Sequence, residues 1–101
     1  MEILFLYDRL LQISTRQLEA VKECDFERVE KLTRDRENVT GKICRIMENE
    51  TFDSESEIFK KKAYDYTEKI INLDEEIKSR LLDELYKRTL RLSKLELLED
   101  F

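Results

Sequence analysis

The sequence predicts an all-α fold: an antiparallel helical bundle of three helices with a long third helix. Three observations lead there. The 101 residues contain no Pro and a single Gly, so the turns of an all-β fold are missing. Charged residues make up 43% and apolar residues 41%, a balance typical of long amphipathic helices and too apolar for a disordered chain. Apolar residues also recur in alternating steps of three and four along three separate stretches. Residues 1–101 are therefore read as a single helical domain, of a size that buries roughly 65% of its unfolded surface in one modest core.

The first stripe is Leu4, Tyr7, Leu11, Ser14, Leu18 and Val21, widened in its first half by Ile3, Leu6, Leu10 and Ile13. It predicts a helix over about residues 2–23. The signal fades at "KECD", where the Asp25 carboxylate is placed to cap the next helix. The second stripe, Phe26, Val29, Leu32, Arg36, Val39, Ile43 and Ile46, predicts a helix over about 26–49. Gly41 lies inside it, costs ~1 kcal/mol relative to Ala, and marks a place for a local bend. Arg36 interrupts the apolar row and is expected to snorkel or to pair with an acid across the bundle.

Ser54 and Glu57 form a capping box ahead of Ile58 and Phe59 and open the third helix. Phe59, Ala63, Tyr66, Ile70, Leu73 and Ile77 set its core row, which Leu81, Leu85, Leu92 and Leu95 continue. Asn72 with Glu75 offers a fresh cap, but the periodicity runs straight through it and no Pro or Gly intervenes, so the helix is expected to be unbroken. At 1.5 Å per residue the first two helices span roughly 33 and 36 Å and the third about 70 Å. A hairpin of the first two cannot cover the far end of the third.

A second apolar row, Leu82, Tyr86, Leu90, Leu97 and Phe101, begins where that hairpin runs out. Two rows on one helix mean two contacts. Burying ~400 Å² of such a row is worth about 10 kcal/mol before the costs of association. Leu82, Tyr86, Leu90 and Leu97 are therefore the candidate partner-binding residues, joined by Met47 and Phe52 where the second helix turns. A homodimer through the overhang and a folded-back fourth helix are the competing ways to cover the row.

Other function classes are disfavoured. The formal net charge is −5, and the one basic run, Lys60-Lys61-Lys62, is flanked by acids, so neither nucleic acid nor membrane is an expected partner. No stretch approaches the ~18 apolar residues of a membrane span, and "MEILFLYDRLLQI" lacks the basic leader and cleavage site of a signal peptide, which points to the cytoplasm. Cys24 and Cys44 without any His make neither a disulfide framework nor a zinc site. Each falls near an apolar stripe, where it is expected to be a small buried hydrophobe. No cofactor motif is present. The acids Asp74, Glu75 and Glu76 are expected on an exposed helix face with ordinary pKa values, which argues against an enzyme. "KIINLDEEIKSRLLDEL" is similar to the first helix of the AroQ-type chorismate mutases, but in that family the phrase opens the chain instead of following two helices.

One resemblance covers most of the chain, from about Leu4 to Leu95. "LLQISTRQLEAVKECDFERVEKLTRDRENVTGKI" resembles the first half of the FliT-type flagellar export chaperones, through Ala20, Asp25, Phe26, Glu27, Val29, Leu32, Arg36 and Glu37. The spacing from Ala20 to Asp25 fits that family's phrase only loosely. "IINLDEEIKSRLLDELYKRTLRL" is similar to the long third helix of the family, at Asp74, Ile77 and Leu81. The resemblance implies a chaperone of flagellar type III export. Such a protein binds the C-terminal helical segment of the filament cap protein, keeps it unassembled and escorts it to the export ATPase complex. Some members also bind a transcriptional regulator, and many carry a further C-terminal helix, for which no stripe is seen before Phe101. An FlgN-like chaperone for hook-filament junction proteins, or a self-associating structural bundle or coiled coil, are the alternatives.

Overall fold

A computed structural model describes residues 2–48 and 57–99 of the chain, with side chains for 3–48 and 57–94. Helix is the only regular structure among them: α1 (Glu2–Lys22), α2 (Phe26–Met47) and α3 (Glu57–Glu99). The molecule is a rod of 69 × 21 × 20 Å. Its length is that of α3, whose 43 residues span about 65 Å at 1.5 Å each. Ser54 of the expected capping box lies outside the described residues. The helix runs unbroken through Asn72, and α2 runs unbroken through Gly41.

Helix α1 is the middle of the bundle. Both α2 and α3 pack on it, while no Cα of α2 lies within 8 Å of a Cα of α3 among the described residues. A helix held from two sides needs two apolar faces, which is why its stripe is so wide. Tyr7 stacks on Tyr66 with ring centroids 6.4 Å apart, and Leu11 lies beside Lys69 and Leu73, so α1 and α3 run in the same direction. Gln17 faces the other way, to Thr33 of α2. Between the two faces Ile3, Leu10, Ser14 and Val21 are buried. The Ser14 hydroxyl donates to the Leu10 carbonyl one turn back, at 2.9 Å. Leu6, Ile13, Leu18, Ala20, Leu32, Val39, Ile43, Phe59 and Ile70 complete the core among the described residues. The row Ile3, Leu6, Leu10, Ile13 is thus the deeper one, and Leu4, Tyr7 and Leu11, expected as the main stripe, are only half-buried.

The turn from α1 to α2 takes three residues. The Asp25 N–H donates to the Ala20 carbonyl at 2.9 Å and the Cys24 N–H to the Val21 carbonyl at 3.0 Å, the paired bonds of a Schellman motif. Cys24 sits at the left-handed position with φ 56°, where Gly is the usual residue. Asp25 then serves the next helix, accepting from the Arg28 N–H at 3.2 Å as its N-cap. One tight turn therefore makes α2 antiparallel to α1. The cysteines correct an expectation: Cys24 and Cys44 are both exposed, Cys24 because the turn holds it outside the bundle.

Candidate functional site

Where the hairpin ends decides which part of α3 is left uncovered. The α1–α2 turn lies beside the middle of α3. Phe26, the first residue of α2, shares a shallow cleft with Leu81, Glu84, Leu85 and Arg88, and the Arg88 guanidinium covers the Phe26 ring at 4.7 Å. Past Arg88 the helix continues for eleven residues, about 16 Å, to Glu99. Ile70 is the last buried residue of α3 among those described, with Leu73 and Ile77 half-buried after it.

The uncovered part is apolar. Leu82 is 55% exposed, Tyr86 66% and Leu90 42%, as expected for the second row. The core row does not continue as expected: Leu85 and Leu92 are each 62% exposed and Leu81 is exposed too. The reason is length. That row needs a neighbour past the α1–α2 turn, and among the described residues Phe26 is the one that shares a cleft with Leu81 and Leu85. Both rows are thus open together, and the candidate surface is broader than the one predicted.

Met47 is exposed but does not join this surface. It ends α2 at the opposite end of the rod, where Ile43, Ile3 and Phe59 pack together, about 35 Å along α3 from Leu82. Phe52 lies outside the described residues, and so do the side chains of Leu95 and Leu97 and all of Phe101. Sequence reasoning missed Tyr64 and Ile71. Both are exposed, and with Lys78, Leu85 and Leu92 they fall seven residues apart, so the open line extends back alongside the hairpin. That spacing of seven was visible in the sequence but was overlaid by the stronger core row.

Across the waist of the bundle a polar group substitutes for backbone contact between α2 and α3. Arg36 donates to both Asp74 carboxylate oxygens, at 2.5 and 2.7 Å, and to the Gln17 side-chain oxygen at 3.2 Å. Gln17 in turn donates to the Thr33 hydroxyl at 3.0 Å, and Thr33 to the Val29 carbonyl. One guanidinium thereby ties all three helices, the acid pairing expected for Arg36. The hydrogen bond to Asp74 holds the Arg36 pKa above its ordinary value against the opposing effect of burial.

The open face carries no cluster of acids, thiols or imidazoles: no group of three or more such residues that could hold a metal ion occurs among the described residues. No helix among them is long and apolar enough to cross a membrane. No family model matches the chain, no curated protein matches its sequence and no solved structure matches its fold.

Proposed function

We propose that this protein is a binding module that works in the cytoplasm as a flagellar export chaperone, holding an amphipathic helix of its client along the open face of α3. The observation that carries the docking half of this reading is the exposure of Leu82, Leu85, Tyr86, Leu90 and Leu92 on one continuous, rigid helix. An apolar stripe of that length is the counterpart of a client helix read through its i, i+3, i+4 and i+7 side chains. Soluble proteins that work alone seldom leave such a patch uncovered. The flagellar half rests on the resemblance of Ala20–Glu37 and Asp74–Leu81 to the FliT-type chaperones, in which the client is the C-terminal helical segment of the filament cap protein.

The chemistry required is steric. A client segment that would polymerise through its own apolar stripe is silenced while that stripe lies on α3, and release to the export ATPase complex needs only a competing surface. The test is titration of a cap-protein C-terminal segment against the chain and against the Leu82→Glu/Leu90→Glu double substitution, followed by calorimetry and circular dichroism. Binding that disappears in the variant while helicity stays is the expected result. A chain that ignores the segment and sediments as a stable dimer would instead establish a self-associating structural bundle. Preference for a hook-filament junction segment would make it FlgN-like.

A further inference from the structure

The face opposite the apolar one is charged in a way the whole chain is not. At about 100° per residue, Leu81, Leu82, Leu85, Tyr86, Leu90 and Leu92 occupy one half of the circumference of α3. Arg80, Lys87, Arg88, Arg91 and Lys94 fall in the other half. From Lys87 to Lys94 there are four basic residues and no acid, in a chain whose net charge is −5. The basic groups also reach both borders of the apolar half. Arg88 stands one turn from Leu85 and Leu92, and Lys94 one turn from Leu90. Arg88 is partly engaged, with Glu84 at 3.6 Å and the Phe26 ring beneath it. Lys87, Arg91 and Lys94 make no ion pair among the described residues.

We infer that the helix received by this face is acidic along its flanks, with Glu or Asp bordering its apolar stripe. This inference rests on the helix-docking reading above and adds the charge of the partner. Side chains that border a helix–helix seam meet each other across it, so basic borders favour acidic ones and repel their like. Charge then sets orientation as well. The acidic flanks must lie against residues 87–94, a basic stretch of α3 bounded by Asp83 and Glu84 on one side and by Glu96 and Glu99 on the other. Nearer the hairpin, Asp83 and Glu84 end the basic region and fix where the acidic part of the partner must stop.

Two synthetic helical peptides with one and the same Leu stripe, one with Glu at every other position and one with Lys, test this. Attraction to the overall charge of the protein predicts that the Lys peptide binds tighter; attraction to residues 87–94 predicts the Glu peptide. The expected result is about tenfold tighter binding of the Glu peptide at low salt, a preference that shrinks as salt rises and reverses in the Lys87→Glu/Arg91→Glu/Lys94→Glu variant. Those side chains are exposed, so the variant keeps its helicity. Equal binding of both peptides, or preference for the Lys peptide, overturns the inference and leaves helix docking intact. Binding of neither overturns helix docking itself. Capture by vesicles of anionic phospholipid, with no peptide bound, would make the same basic amphipathic segment a lipid-surface contact and overturn the inference too.

Discussion

Arg36 on α2 and Asp74 on α3 are joined by a two-pronged ion pair, the main bond between two helices whose backbones do not meet. Its geometry is the favourable fork-to-fork one. Both side chains remain partly open to water, which screens the pair, so the interaction is worth ~1 kcal/mol and not the several of a fully buried pair. Asp74→Asn and Arg36→Gln should each lower stability by about 1–2 kcal/mol, because each strands the charge of the other. In a double-mutant cycle followed by urea unfolding, the coupling should be ~1 kcal/mol. Strict additivity would show that the pair is incidental and that α1 alone holds the bundle.

The left-handed turn at Cys24 gives the second expectation. A side chain at φ 56° costs roughly 1 kcal/mol that glycine does not bear. The Schellman bonds of Cys24 and Asp25 use only backbone atoms and survive the change. Cys24→Gly should therefore raise stability slightly despite the greater freedom of the unfolded chain, whereas Cys24→Val should lower it by ~1 kcal/mol or more. Thermal melts of the two variants decide it; a loss on going to Gly would mean the thiol has a packing role its exposure does not suggest.

Tyr7 makes the bundle sensitive to alkali. Its burial against α3, and then the negative charge of Cys44, hold its phenol above the ordinary value of 10.0. The folded chain thus keeps this proton more tightly than the unfolded one. The stability linked to the neutral ring is complete below about pH 10 and is lost as pH rises through the higher folded value. Tyr7→Phe, which retains the stacking on Tyr66, should lose less stability than the parent between about pH 9.5 and 11 in urea titrations. Identical slopes would mean the hydroxyl stays solvated in the folded state.

Much of this fold was legible in advance because local and tertiary preferences agree. Steps of three and four placed all three helices, Asp25 capped where its position said it would, and the unbroken run past Asn72 followed from the absence of any residue that could stop it. What was not legible is what depends on neighbours. Leu81, Leu85 and Leu92 carry the same periodicity as Ile70 and Ile77, and periodicity reports only that a face is apolar, not that something covers it. Likewise Cys24 falls near the ends of two apolar stripes, and only the closing turn puts the thiol outside. Met47 was grouped with Leu82 on chemistry alone, and the antiparallel path of α2 separates them by half the rod.

That difference between covered and uncovered leucine-type residues can be measured directly. Ile70 is buried at the α1–α3 contact, so Ile70→Ala removes packed methyl groups and should cost about 2–5 kcal/mol. Leu85 has the same apolar character on the same helix but is mostly in water, so Leu85→Ala should change stability by no more than ~0.5 kcal/mol in dilute solution. The order should invert for association: Leu85→Ala weakens capture of an amphipathic helix, whereas Ile70→Ala, measured well below its melting temperature, leaves it unchanged. Parallel urea titrations and calorimetric titrations of the two variants give both readings. A large stability loss for Leu85→Ala that grows with protein concentration would place a second copy of the chain on the open face, because only a partner that forms with concentration could turn an exposed leucine into a core one.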